Sequence, residues 1–295
     1  MNLGWDDRPT GSFQKISPAT LSLTRINQRN PRDLMRELNK YLWSTPPPTT
    51  NMRIISAPNL ARAHELAVKT VLEKGWVLGT EDGEATIECE ELALQVENPT
   101  TEPMISTGSR FQRRFMEKYA ADLLHGSDGI FEYDYHGRLF NWGDRLAADE
   151  APVQVDQIAY IIRKLQEAPA TRRALAITWN PVVDEQVKDC PCLQLVQCVI
   201  RDGALQMKVV FRSNDMLTAS GANMFALVHL QLMIAEALGV RIGRYTHIAL
   251  VPHVYFTRDM DDLKAFCNRG ERFHPVQEVC CRCRGCNRAA PKPSS

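Results

Sequence analysis

The chain is 295 residues long, with 35 Lys and Arg against 35 Asp and Glu, 44% hydrophobic residues and 24% charged ones. A formal net charge of zero excludes the basic coat of a nucleic-acid-wrapping protein, and the length is ample for a large buried core. The opening MNLGWDDRPTGSFQ lacks the basic-then-apolar pattern of a secretory leader, and no stretch approaches the roughly 20 apolar residues of a membrane span, so a cytoplasmic chain with neither membrane nor nucleic acid as partner is expected.

Residues 1–51 read as an N-terminal extension. Within it, NPRDLMRELNKYLW sets Leu34, Leu38, Leu42 and Trp43 at helical spacing behind Asn30-Pro31. STPPPTT then forms a linker that cannot continue a helix, which puts a boundary at Pro46–Thr50. The body, 52–270, opens on a short strand, MRIISA, and a helix from Asn59 to Gly75. Residues 83–97 read as one strand, 110–124 and 154–167 as helices, and 173–179, 192–200 and 204–211 as strands. In the last of these Leu205, Met207, Val209 and Phe211 share a face, and Arg201-Asp202-Gly203 forms the hairpin turn before it. Residues 222–238 are apolar over most of a helical surface, which predicts burial on nearly all sides. THIALVPHVYF follows as a strand and TRDMDDLKAF as a helix. Strands and helices mix without a strict βαβ rhythm, so the fold class is α+β with a largely antiparallel or mixed sheet. Residues 271–295 are polar, aperiodic and cysteine-rich, and read as a disordered tail. Of the nine cysteines, Cys89, Cys190, Cys192, Cys198 and Cys267 lie in the body and Cys280, Cys281, Cys283 and Cys286 in this tail; an odd number in a chain of this size points to reduced thiols rather than a disulfide framework.

Chemistry concentrates in 189–223. Pro191 puts Cys192 at the start of a strand rather than deep inside a sheet, and Arg212-Ser213-Asn214-Asp215 emerges after the next strand. Arginine with serine suits an anionic oxygen cluster such as phosphate, and a guanidinium nearby favours a thiolate. These features alone describe either a cysteine nucleophile beside an anion site or a buried structural cysteine with a surface ion pair.

The spacing of further landmarks narrows the choice. Arg172-Arg173 before a strand ending Trp179-Asn180, then Pro191-Cys192, Phe211-Arg212-Ser213-Asn214-Asp215, Asn223 and His253-Val254-Tyr255 together resemble the thymidylate synthase family over roughly residues 53–270. EYDYHGRLF and CPCLQL look most like its archaeal, methanogen-type branch. The resemblance implies a mixed sheet covered by helices whose open face packs at a homodimer interface. It also implies a pyrimidine nucleotide activated at C5 by a thiolate added at C6, with a 5,10-methylene-tetrahydrofolate or methanopterin-type analogue supplying carbon and hydride.

Residue by residue, the resemblance assigns the nucleophile to Cys192, with Cys190 as a rival that precedes the proline. Arg212 and Ser213 match phosphate ligands, and Arg172 and Arg173 the pair that reaches the partner subunit's phosphate. Asn223 matches the carboxamide that reads the pyrimidine edge and favours uracil, where related cytidylate hydroxymethylases carry aspartate. His253 and Tyr255 match the pair on the ribose hydroxyl, and Asp215 the carboxylate on the pterin, unless it only caps the following turn. Tyr135 resembles the tyrosine that helps remove the C5 proton, with Tyr133 two residues away as the alternative. Glu117 is the candidate for the glutamate that relays protons to the base carbonyl, or else a solvated helix residue.

Three departures from the bacterial pattern stand out: Leu193 where histidine is usual, a loop TEDGEAT (80–86) without a basic residue, and no recognisable closing segment after Phe273. Loose closure keeps a nucleotide 5-hydroxymethylase as the rival to methylation of dUMP to dTMP, since water instead of hydride then ends the reaction. A non-catalytic nucleotide- or RNA-binding homologue is the rival from another class. Cys280, Cys283 and Cys286 have a spacing that can bind zinc or an iron–sulfur cluster, with Cys281 or His274 as a fourth ligand. Their flanks supply no fold to hold one, so no metal is expected.

Overall fold

The computed structural model describes residues 51–127, 134–143 and 154–270. The amphipathic stretch in 1–51, Tyr133, His274 and the cysteines at 280–286 lie outside the described residues. The elements run β1 Arg53–Ala57, α1 Leu60–Lys74, β2 Trp76–Gly79, β3 Ala85–Glu88, β4 Leu92–Val96, α2 Arg113–His125, α3 Tyr135–Phe140, α4 Gln157–Glu167, β5 Leu175–Ile177, α5 Pro181–Asp184, β6 Leu193–Arg201, β7 Ala204–Phe211, β8 Asn214–Asp215, α6 Ser220–Leu238, β9 Arg241–Ala249, β10 Pro252–Val254 and α7 Met260–Gly270.

Two sheets share the work. The larger has the order β1-β4-β9-β7-β6-β5 and the smaller β2-β3-β10-β8. In the larger sheet β1/β4 and β7/β9 are parallel and the other pairs antiparallel, so the α+β reading with a mixed sheet holds. Local signals account for most ends. The Asn59 side chain accepts from the Arg62 N–H at 3.0 Å and starts α1. Gly75 ends it where a Cβ would lie 2.5 Å from the Val71 carbonyl oxygen and 2.6 Å from that of Glu88. Asp202 and Gly203, both at positive φ (52° and 67°), make the tight β6–β7 turn.

The sheet assignment corrects two strands read as continuous. Residues 83–97 divide into β3 and β4, which belong to different sheets: Cys89 N–H donates to the Pro252 carbonyl, whereas Arg53 N–H donates to that of Glu91. Likewise 246–256 divides into β9 and β10, because Pro252 has no N–H for a ladder and the chain crosses to the second sheet there. β9 also starts earlier, at Arg241, and the segment around Tyr135 is a helix whose Asp134 side chain accepts from Gly137 N–H at 2.6 Å.

α6 is the centre of the core. Its 19 residues are long and apolar enough to cross a bilayer by length and composition, which corrects the expectation that no stretch came close. Most of that window is buried inside the protein, where α6 packs on α1, α2, α4, β7 and β9. The inner sheet face presents Leu92, Leu94 and Val96 of β4, Leu205, Met207, Val209 and Phe211 of β7, and Tyr245, His247 and Ala249 of β9, all buried. The opposite face carries a row across all six strands, Ile54–Ala93–Ile248–Val210–Leu195–Ile177, each paired with the next. Its ends are open: Ile54 is 66% and Ile177 43% exposed.

Candidate functional site

The site is built where β6 begins and β7 ends. Pro191 has no N–H to give a ladder, so pairing starts at Cys192, whose carbonyl accepts from Arg212 N–H at 2.8 Å. The Arg212 guanidinium folds back over the same segment, donating from Nε to the Pro191 carbonyl at 3.0 Å and from Nη2 to the Cys190 carbonyl at 2.8 Å. A fixed cation therefore stands over the backbone that carries Cys192, and Cys192 keeps partial exposure. Cys89, Cys190, Cys192, Cys198 and Cys267 form no disulfide among the described residues. Burial pushes Cys198 and Cys89 up to about 12, which removes them as nucleophiles near neutral pH.

β8 and β10 set the next group. They pair in parallel, Pro252 with Asn214 and His253 with Asp215. His253 Nδ1 donates to the Val251 carbonyl at 3.1 Å and lies 3.4 Å from Ser213 Oγ, which leaves Nε2 as an acceptor. The Tyr255 ring stands edge-on to His253, with centroids 4.9 Å apart, and the Arg258 guanidinium lies 3.9 Å from its centroid on another side. Burial raises the Tyr255 phenol; Arg258 lowers it, and charge on Asp215, Asp82 and Cys192 adds to the rise, so Cys192 and Tyr255 share one electrostatic environment. Behind this strand Tyr245 Oη donates to His247 Nδ1 at 3.1 Å, and His247 Nε2 donates to Asn214 Oδ1 at 2.8 Å. That fully buried chain fixes Asn214, and through it the strand between Ser213 and Asp215.

A small cavity of about 10 Å³ lies beside Leu193, the residue after Cys192, and is lined also by Phe211, Tyr135, Asn223, Tyr119 and apolar residues of α2 and α6. Tyr135 reaches it from α3, and its hydroxyl accepts from Leu193 N–H at 3.1 Å. Asn223 lies in the first turns of α6, nearly buried, with Oδ1 accepting from Tyr119 Oη at 2.9 Å. A thiol and an anion-suited Arg–Ser pair thus stand where β6 begins and β7 ends, and a phenol and a carboxamide share the wall of a small cavity with Leu193, the residue after the thiol.

Comparison with known proteins agrees with the geometry. The thymidylate synthase family model matches residues 126–282. A protein of Methanocaldococcus jannaschii is 40% identical over 220 residues, covering 73% of this chain and 96% of that one, and one of Methanosarcina acetivorans is 37% identical over 204 residues, covering 69% and 89%; both are named "Putative thymidylate synthase". The chain belongs to the thymidylate synthase family. Thymidylate synthase 1 of Bacillus spizizenii, at 36% identity over 143 residues, covers 48% of this chain and 50% of its own length. The stronger and longer matches therefore lie on the methanogen side of the family, as the sequence resemblance implied.

Of the residues that the resemblance assigns, Arg212 lies over the backbone that carries Cys192, Ser213 and Tyr255 contact His253, which pairs with Asp215, and Tyr135 and Asn223 share a cavity wall with Leu193. Asp215 accepts from Leu217 N–H at 2.9 Å, from Thr218 Oγ1 at 2.6 Å and from Arg258 at 3.2 Å, so its carboxylate caps the following turn in this structure. Arg172 and Arg173 stand exposed before the edge strand β5, with their carbonyls held by Gln197 and Tyr160. Glu117 is not brought to the site. It is 58% exposed on α2 and lies 3.9 Å from Arg113, because the inward stripe of that helix is Met116, Ala120 and Leu123. The loop at 80–86 carries its acid outward, and Asp82 pairs with Lys188 at 2.7 Å.

Two residues of the cluster escaped the sequence reading. Tyr119 sits next to the inward stripe of α2, and a tyrosine beside such a stripe signals a hydroxyl in need of a buried partner. Arg258, three residues after Tyr255, ties Tyr255, Asp215 and Asp259 together. Among the described residues no group of three or more potential metal ligands occurs, and Cys280, Cys283 and Cys286 lie outside them.

Proposed function

We propose that this protein is a pyrimidine nucleotide C5 transferase that methylates dUMP to dTMP, using a methylene-tetrahydropterin for carbon and hydride. The observation that carries the reading is Cys192 at a strand start under the Arg212 guanidinium, with the Asn223 carboxamide in the wall of the adjoining cavity. Arg212 and Ser213 hold the phosphate, His253 Nε2 and Tyr255 hold the ribose, and Asn223 meets the base edge. The Cys192 thiolate adds to C6, a C–S bond forms, and the ring's electron pair is delivered through C5 to the one-carbon unit. The C5 proton then leaves with the help of Tyr135, the pterin departs as the leaving group, and hydride returned to the exocyclic carbon expels the thiolate. Asp215 meets the pterin when Arg258 shares its charge.

A homodimer completes this site. The apolar row on the outer face of the six-stranded sheet, open at Ile54 and Ile177, is the surface that a second copy covers, which carries Arg172 and Arg173 to the partner's phosphate. The setting we propose is cytoplasmic, a compartment that keeps thiols reduced.

The test is mass spectrometry of products from the purified protein given dUMP, dCMP, UMP or CMP with methylene-tetrahydrofolate or its methanopterin counterpart. Methylated dUMP, absent with Cys192→Ala, is expected. A hydroxymethylated product would replace the methylation reading, and no product with either pterin would leave a binding protein.

A further inference from the structure

The geometry points to Cys190-Pro191-Cys192 as an oxidative modification site, at which Cys190 resolves the oxidised Cys192 into a reversible disulfide. The inference rests on Cys192 as the reactive thiol and gives a chemical task to Cys190, which the proposed reaction leaves unused. Of the cysteines among the described residues, Cys89, Cys198 and Cys267 are buried, and burial pushes Cys89 and Cys198 up to about 12. Cys190 and Cys192 are the two that keep partial exposure, so a small oxidant in solvent meets them first. One residue separates them, and the backbone between them is not straight. In an extended strand successive residues point their groups to opposite sides. Here the carbonyls of Cys190, Pro191 and Cys192 all accept from one residue, Arg212: from Nη2 at 2.8 Å, from Nε at 3.0 Å and from the backbone N–H at 2.8 Å. The chain therefore curls around Arg212 and spans less than the roughly 7 Å that two fully extended residues cover. A disulfide joins Cα atoms roughly 4.4–6.8 Å apart, so the curl favours the bridge. Pro191 fixes a dihedral between the two cysteines, and Gln194 Nε2 also holds the Pro191 carbonyl at 2.6 Å, so little chain freedom remains to be lost.

The steps balance with hydrogen peroxide as the oxidant. The Cys192 thiolate attacks one peroxide oxygen, the O–O bond breaks, and the departing hydroxide leaves as water after taking up a proton. Cys192 has then lost two electrons and carries a sulfenic acid, and the peroxide has been reduced. The Cys190 sulfur attacks the Cys192 sulfur. An S–S bond forms, the S–O bond breaks, and the oxygen leaves as a second water with the Cys190 proton. A dithiol reductant returns two electrons and two protons and restores both thiols. While the bridge stands, Cys192 has no thiolate to add to a ring. The bridge also keeps Cys192 from passing on to sulfinic acid, which thiols do not reverse.

The experiment is peptide mass spectrometry of the full chain after mild hydrogen peroxide, with alkylation before and after dithiothreitol. The expected wild-type result is a peptide bridged between Cys190 and Cys192 that has lost two hydrogens and resists alkylation until it is reduced. In Cys190→Ser the bridge should be absent and Cys192 should collect as sulfinic acid. Turnover of dUMP, lost with peroxide in both proteins, should return to within about twofold on reduction of the wild type and stay at least about fivefold lower in Cys190→Ser. Wild-type protein in which Cys192 goes to sulfinic acid, bridges to another cysteine such as Cys280, or stays unoxidised together with Cys190 would overturn the inference. That wild-type result decides even where Cys190→Ser fails to fold. The peptide readout needs no turnover, which keeps the inference apart from the reading of the reaction. A bridge in a protein that methylates nothing would retain the first and remove the second.

Discussion

Asp184→Asn tests whether the site's tyrosine depends on a buried ion pair. Asp184 has a fully buried side chain, and Arg138 is 16% exposed opposite it. The two meet as a fork, with Nη2 to Oδ1 at 2.6 Å and Nη1 to Oδ2 at 3.2 Å, while Oδ2 also accepts from Asn180 N–H at 2.6 Å. Three donors thus face two carboxylate oxygens. Asparagine keeps the shape but offers one acceptor and one NH2, so at least one donor meets another donor and the guanidinium loses its counter-charge. Removing one partner of a buried pair typically costs 3–5 kcal/mol; with part of the hydrogen bonding retained, a loss of about 3 kcal/mol is expected. For a body of this size that is a fall in Tm of roughly 6–12 °C. The pair joins α3 to α5, and α3 begins at Tyr135, so the Tyr135–Leu193 hydrogen bond should loosen as well. Guanidinium denaturation at one fixed protein concentration measures the first effect, and turnover of the folded variant the second. A loss below about 1 kcal/mol, the range of solvent-exposed pairs, would refute the claim that burial makes this bridge matter.

Three other predictions use different parts of the molecule. Burial holds His247 down at about 3, and it also lowers His64, partly opposed by the Leu217 and Met216 carbonyls and by Asp215. His247 stays neutral in the folded protein while the unfolded chain takes up a proton below the ordinary value of 6.5, so stability should fall as pH drops from there, at about 1.4 kcal/mol per pH unit for His247, with His64 adding in the same direction. Urea titrations between pH 7 and 5 should show that slope, and His247→Gln should reduce it; an unchanged slope would contradict the assignment. Arg258→Leu removes the cation over Tyr255 and the pairs to Asp215 and Asp259, and should raise KM for nucleotide about fivefold with kcat nearly unchanged. Because kinetics separates the two constants, a fall in kcat alone would instead put Arg258 in the chemical step. Glu117→Ala removes only an exposed side chain 3.9 Å from Arg113, so turnover should stay within about twofold; a large loss would restore Glu117 to the proton relay.

What could be read in advance depended on whether a signal was local. Asn59, Gly75 and Asp202-Gly203 announce their own ends and turns, β7 alternates without a break and α6 is apolar nearly all round, so these elements are legible residue by residue. The divisions at 89–91 and 250–252 are not, because each half continues the apolar pattern of the other and only the partner strands show that they belong to separate sheets. The site follows the same rule. Its members in and beside strand ends, Cys192, Arg212, Ser213, His253 and Tyr255, travel in short motifs. The helix-borne members have no such company: Glu117 and Tyr119 sit two residues apart on one amphipathic helix, and nothing in the spacing alone says which of them turns inward.

Leu193 shows how these pieces bear on one another. Bacterial relatives usually carry histidine after the nucleophile, and the leucine here is fully buried, with its side chain in the cavity wall and its N–H bonded to Tyr135. An imidazole in that place would bring a titratable ring and a hydrogen-bonding nitrogen to the base end of the cleft. Leucine brings neither, so the polar side chains of the cavity wall are those of Asn223, Tyr119 and Tyr135. Fewer polar groups make each one weigh more, because an apolar wall offers no substitute partner when a hydroxyl is removed. The apolar wall and the Tyr135–Leu193 hydrogen bond therefore bear on one another, and Leu193→His should blunt the loss of turnover caused by Tyr135→Phe. A double-mutant cycle that gave simple additivity would show that the two features act independently.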